Sequence, residues 1–275
     1  MRSILRYRPA WLQHLSPALQ APRTSRHTYK PLPLSSSSYS SSTPTPRPNN
    51  PLIYPEAPGN SSNEHHDLAS YAAYAARTGL DPTSKTYMGT RYEYAVAAAL
   101  ATLGFTLRRV GGRDDCGIDL LGTWAVPSAP ASTPLRILVQ CKASASQSTR
   151  IGPQHVRELE GAFAGAPPGW RSSNSSGGSS GSSIVAFLVA QRPATKGMRD
   201  ALGRSRWPMG FVSCTEDGRL EQMLWNGRAE EEGLEGLGVG VRFCEDGEGR
   251  SEQRLVLTWK GKPCVLDPPS AGEPV

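Results

Sequence analysis

The run Leu135–Lys142, LRILVQCK, ends in a polar pair, Gln140 and Lys142, set into an otherwise apolar segment. Side chains alternate across a strand, so Leu135, Ile137, Val139 and Cys141 share one face and Leu138, Gln140 and Lys142 the other. Gln140 and Lys142 then project side by side, about 6–7 Å apart by strand rise. Upstream, Asp119 stands between Ile118 and Leu120 in a second apolar stretch and is expected to point opposite to both. A carboxylate in mid-strand is costly unless a partner or an ion meets it. Glu93 falls at the edge of the apolar stripe of a helical segment, aimed at the sheet. Two carboxylates, an amide oxygen and a lysine on one sheet surface make a hard-oxygen site for Mg²⁺ or Mn²⁺.

Each of these residues has an ordinary alternative. Lys142 can be a solvated strand end, Asp119 can take backbone hydrogen bonds in a turn, and Glu93 can pair with an arginine such as Arg108. Asp114 and Asp115 follow a Gly-Gly turn and read as loop residues. The Cys141 side chain faces the core and reads as packing. His155, near a helix start, reads as a surface residue.

The elements that would hold these groups alternate in type. Tyr87–Leu103 has helical spacing, with Met88, Tyr92, Val96, Ala99 and Leu103 on one stripe and Gly104 in the stop position. Phe105–Val110, Cys116–Thr123 and Leu135–Lys142 read as three strands. Gly152-Pro153 opens a helix running to about Ala164, with proline at its first position. Ser183–Ala190 is a continuous apolar run, the pattern of a strand buried on both faces. A helix over Thr195–Arg204 and a strand over Met209–Cys214 follow. The order α-β-β-β-α-β-α-β predicts an α/β fold with a mixed sheet flanked by helices.

Composition sets the frame around that domain. The 275 residues are 37% hydrophobic and 20% charged, and no apolar run is long enough to span a membrane. Five cysteines without a CxxC give neither a disulfide framework nor a zinc site. The formal net charge of +6 is confined to the amino-terminal segment: residues 1–55 hold seven Lys/Arg and no acid, which leaves 23 basic and 24 acidic groups in residues 56–275. Nucleic-acid binding would therefore rest on a local patch. Residues 1–30 place Ile4, Leu5, Leu12, Leu15 and Leu19 near one helical face among arginines, the composition of a mitochondrial presequence. The Ser/Pro-rich stretch beyond it makes 31–83 a disordered linker, and the Ser/Gly-rich stretch 165–183 a disordered insertion. Residues 84–262 form the folded domain and 263–275 a flexible tail.

The string formed by Glu93, Gly111-Gly112-Arg113-Asp114-Asp115-Cys116-Gly117-Ile118-Asp119, Val139-Gln140-Cys141-Lys142, Gly152-Pro153 and Val156-Arg157-Glu158-Leu159-Glu160-Gly161 resembles the Mrr-like branch of the PD-(D/E)XK nucleases. In that branch the last motif is Q-x-K, and the fold is restriction-endonuclease-like, with an α-β-β-β-α-β core. The pair before Asp119 is Gly-Ile and not a proline. The segment Arg204–Phe211 and the presequence resemble the fungal mitochondrial required-for-respiratory-growth seven family.

The resemblance implies roles. Asp119 would be the principal metal ligand, Gln140 would offer its side-chain oxygen, and the Cys141 carbonyl would complete the shell. Glu93 would orient metal-bound water or hold a second ion. Lys142 would polarise the attacking water and stabilise developing charge. The expected protein is thus a mitochondrial, matrix-located, Mg²⁺-dependent endonuclease acting on DNA, with RNA as the alternative substrate and no stable membrane insertion. A retired nuclease that only binds nucleic acid is the rival. Arg192, Lys196, Arg199 and Arg206, in a stretch with five basic residues and one acid, would track the phosphate backbone.

Overall fold

The computed structural model describes residue 54 and residues 65–112, 116–128, 134–143, 151–170, 183–245 and 251–264. The chain divides into two units, 1–48 and 49–275, and every described residue belongs to the second. The segment read as a presequence lies outside the described residues, as do most of the linker, most of the Ser/Gly stretch and residues 265–275.

A first helix, α1 (Leu68–Thr78), occupies ground that the sequence pattern assigns to a linker. Its start is set locally: the Asp67 carboxylate accepts from the Ser70 backbone N–H at 2.7 Å, and the Ser70 hydroxyl accepts from the Asp67 N–H at 3.1 Å. Its buried face is aromatic. Tyr71 packs against Tyr94, and His65 is buried with its Nδ1 2.7 Å from the Tyr94 hydroxyl. Tyr94 belongs to α2 (Lys85–Ala101), which Ser84 caps by accepting from the Tyr87 N–H. Because α1 covers one flank of α2 and the sheet another, burial on α2 runs wider than the single expected stripe.

Six strands then form one sheet in the spatial order of the chain: β1 (Phe105–Arg109), β2 (Leu120–Trp124), β3 (Leu135–Lys142), β4 (Ile184–Ala190), β5 (Met209–Cys214) and β6 (Leu220–Trp225). The pairs β1–β2, β2–β3 and β5–β6 are antiparallel, while β3–β4 and β4–β5 are parallel. Parallel neighbours need crossovers. These are supplied by α3 (Pro153–Ala164) and α4 (Lys196–Arg204). The fold is a mixed α/β architecture.

Two cores result, one on each face of the sheet. On one side Tyr92, Val96 and Leu100 of α2 meet Phe105, Leu120, Trp124, Ile137, Val139 and Phe187. Trp124 is fully buried, stacks on Phe105 at 4.1 Å between ring centres, and donates its indole N–H to the Leu103 carbonyl at 2.9 Å. On the other side Val156, Leu159 and Phe163 of α3 and Met198 and Leu202 of α4 meet Leu121, Leu138, Leu188 and Phe211. All seven residues of β4 are buried, as expected for a strand covered on both faces.

Two further boundaries are corrected. The stretch read as an insertion from residue 165 is still packed at its start, because Ala166 and Trp170 are fully buried in the α3-side core. Beyond β6, where the sequence pattern assigns no element, lies a second sheet of β7 (Leu237–Glu245), β8 (Ser251–Trp259) and β9 (Lys262–Pro263). Leu237 and Leu257 of that sheet join the α2-side core, and Cys264 packs beside them, so the domain reaches past residue 262. Trp207 is core-packed as well, 4.9 Å from the Phe163 ring.

Candidate functional site

β2 begins one residue later than Asp119, and this break sets the carboxylate. Ile118 packs in the α3-side core and Leu120 in the α2-side core, so the regular alternation expected across Asp119 does not hold. The preceding residues Cys116 and Gly117 both have left-handed backbones, φ 54° and 78°. Gly117 is required there: a Cβ would sit 2.8 Å from Gln140 Nε2. The Asp119 carbonyl then accepts from both Val110 and Gly111, its N–H donates to the Val139 carbonyl at 2.9 Å, and its Oδ2 accepts from the Cys141 N–H at 2.6 Å. The carboxylate thus lies in the fork between β2 and β3.

The register Leu120↔Val139 sets Asp119 beside Gln140. Gln140 is buried, its amide close against Gly117, and its Oε1 has no hydrogen-bond partner. A buried acceptor left without a donor costs on the order of 1–3 kcal/mol, so it demands an explanation. A hard cation is one. The amide oxygen, the adjacent carboxylate and the Cys141 carbonyl are the oxygen types such an ion takes, and these residues fit it. No cluster of three or more His, Cys, Asp and Glu side chains exists among the described residues, so any such site rests on the amide and backbone oxygens beside Asp119.

The other two residues of the set lie on opposite sides of this fork. Lys142 shares the α3-facing side with Gln140 and pairs with Glu158 of α3, Nζ to Oε2 2.9 Å. Glu93 stands on the α2 side, where the Arg109 Nε donates to its Oε2 at 2.5 Å and the same guanidinium reaches Thr90 Oγ1 at 3.3 Å. The expectation of one shared sheet surface is therefore corrected: Asp119, Gln140 and Cys141 are together, Lys142 is on their α3 side, and Glu93 is on their α2 side. Glu93 remains close enough that its charge, with that of Asp119, adds to burial in pushing the Cys141 thiol well above its usual range. That thiol is not a nucleophile at neutral pH.

Sequence reasoning named Arg108 as a possible partner of Glu93 and missed Arg109. Alternation distinguishes them: Arg109 shares the α2-facing side with Phe105 and Leu107, while Arg108 turns the other way onto the Tyr54 ring, 4.8 Å from its centre. Glu158 lies in the motif string but carries no role in the family pattern. His155, read as a surface residue, caps its own helix by accepting from the Gly152 N–H at 3.1 Å.

The basic residues of the α4 region are largely on the surface. Arg192 and Arg206 are exposed. Lys196 pairs with Asp200 at 2.8 Å, and Arg199 donates to the Ala194 carbonyl at 2.7 Å. No helix among the described residues is long and apolar enough to cross a membrane.

Comparison with known proteins fits this domain into a family. Residues 84–133 and 128–242, more than half the chain, match the family model "Required for respiratory growth protein 7". A Schizosaccharomyces pombe protein described as uncharacterized and mitochondrial is 31% identical over 173 residues, which are 62% of this chain and 63% of that relative's length. No solved structure matches. The protein is mitochondrial, and its family name ties it to respiratory growth. With its α2-to-β6 body inside the matched residues, the chain belongs to the Required for respiratory growth protein 7 family.

Proposed function

We propose that this protein is a metal-dependent nuclease of the PD-(D/E)XK type, Mrr-like branch, with a restriction-endonuclease-like fold, hydrolysing phosphodiester bonds in DNA within the mitochondrial matrix and so supporting genome maintenance. The observation that carries the reading is the buried, unpartnered Oε1 of Gln140, the residue that the β2–β3 register sets across from Asp119. Mg²⁺ or Mn²⁺ held by Asp119, Gln140 and the Cys141 carbonyl would supply a Lewis acid and a water of lowered pKa. Lys142, on the Gln140 side, positions the attacking water and donates to phosphate oxygen as charge develops. Glu93, oriented by Arg109, sits on the far side of Cys141 and orients water there. Arg192, Lys196, Arg199 and Arg206 hold the phosphate backbone.

The rival, a nucleic-acid-binding protein without turnover, is favoured by one observation: Glu93 and Lys142 are both engaged by opposite charges, Arg109 and Glu158. Cleavage of duplex DNA by the purified protein with Mg²⁺ or Mn²⁺, above a Lys142→Ala control, decides between them. Cleavage confined to structured RNA would keep the site and change the substrate.

Two further outcomes follow from the reading. Mg²⁺ or Mn²⁺ is expected to raise Tm through preferential binding to the folded state, worth about 2.7 kcal/mol at a hundredfold excess over Kd. Asp119→Asn should abolish the shift in differential scanning fluorimetry; a shift of unchanged size would put the ion elsewhere. Replacing Lys196 and Arg199 with Gln is expected to weaken binding to all DNA sequences alike. In a salt titration the log–log slope should fall by about 0.9 for each duplex phosphate that the protein no longer neutralises.

A further inference from the structure

Glu158 stands where the proposed site has no use for a negative charge. α3 packs over this side of β3 so that Ala162 lies near Gly117 and Glu158, one turn earlier, reaches Lys142. The pair is half open to solvent: the Lys142 side chain is 28% exposed and that of Glu158 48%. A solvated carboxylate 2.9 Å from an ammonium presents the same charge and the same acceptor oxygens as a phosphodiester. The two anions cannot both hold Lys142 at close range without repelling each other.

We propose that Glu158 is an intramolecular competitor of the substrate phosphate: it holds Lys142 in the free protein and is displaced when a nucleic-acid phosphate takes its place. The inference rests on the nuclease reading of the site and adds a control on substrate entry. A lone anion gains little at Lys142, because it must first break the pair with Glu158. A polyanion that also engages Arg192, Lys196, Arg199 and Arg206 brings its phosphates to Lys142 at high effective concentration and displaces the carboxylate. The exchange also makes the net contribution of Lys142 to ground-state binding small, since one ion pair replaces another.

The test is a double-mutant cycle on binding of the full-length chain to a fluorescent duplex in EDTA, read by anisotropy, with Tm of each variant as a check on folding. Glu158→Gln is expected to tighten binding by about two- to fivefold at low salt, the range that a part-exposed ion pair commands. The gain should disappear in the Lys142→Ala background. Glu160→Gln, on the same helix and with the same change in net charge, should give less than the Glu158 variant. A gain that survives without Lys142, or one matched by Glu160→Gln, reflects general charge and overturns the proposal. Equal or weaker binding by a folded Glu158→Gln variant overturns it too, while leaving the nuclease reading intact. If neither wild type nor Glu158→Gln binds duplex DNA or structured RNA, both fall together.

Discussion

Lys142→Ala is expected to lower the turnover of duplex DNA cleavage on the order of 10²–10³-fold, the usual cost of removing one preorganised donor from a developing negative charge. Affinity for uncut DNA should stay within a few fold. On the proposed nuclease reading the ammonium would act where charge accumulates along the reaction, and removing such a group lowers kcat and kcat/KM together. The structure supplies a second reason for the small change in affinity. Lys142 is already engaged by Glu158 at 2.9 Å, so a phosphate at this position replaces an existing partner. Single-turnover cleavage and equilibrium binding, measured on one preparation, separate the effects. A fall in affinity as large as the fall in rate would make Lys142 a phosphate anchor and remove its catalytic assignment.

Gly122→Ala is expected to destabilise the domain by about 3 kcal/mol or more, beyond the common range of point substitutions and at the upper end of overpacking effects. Gly122 lies in β2 opposite Leu107 of β1, and a Cβ built there would fall 1.9 Å from the Thr106 carbonyl oxygen and 2.8 Å from the Leu107 Cα. Neither neighbour is the loose end of a side chain. Relief requires β1 to move away from β2, which breaks the ladder that carries Arg109 to Glu93 and opens the Phe105–Trp124 stack. Urea unfolding should show a large drop in midpoint. A variant with near-wild-type stability would mean that β1 is not bound tightly to β2.

Much of this is readable from pattern. Leu135–Lys142 shows a clean alternation, and its two faces pack as that alternation dictates, with Val139 on the α2 side and Leu138 on the α3 side. Pro153 marks the start of α3 because proline fits only its first turn. What pattern misses lacks local contrast. α1 is built mainly from Tyr and Ala, and its burial depends on Tyr94 and His65, which are remote in sequence or outside the helix. β7 is thinned by Gly238 and Gly240, which hide its period of two. Ile118 and Leu120 suggest a regular strand through Asp119, yet left-handed backbone at Cys116 and Gly117 breaks the alternation just before it. The ion pairs of Glu93 and Lys142 join separate elements, and facing rules narrow such partners without naming them.

The mixed direction of the sheet also bears on how the chain reaches its fold. Emerging amino-terminus first, at a ribosome or through an import pore, the chain can close α2 with the β1–β2–β3 meander from near neighbours in sequence, a fast process. β3 is then left with one edge open, even after α3 has emerged to cover its α3-facing residues, until residues 184–190 arrive to pair in parallel beside it. Such a half-built sheet exposes unpaired backbone and apolar surface, which is what holdase chaperones bind and what aggregation exploits. The low-complexity tract between α3 and β4 lengthens that exposed interval, so for this chain folding yield inside the organelle depends on the delay between two adjacent strands.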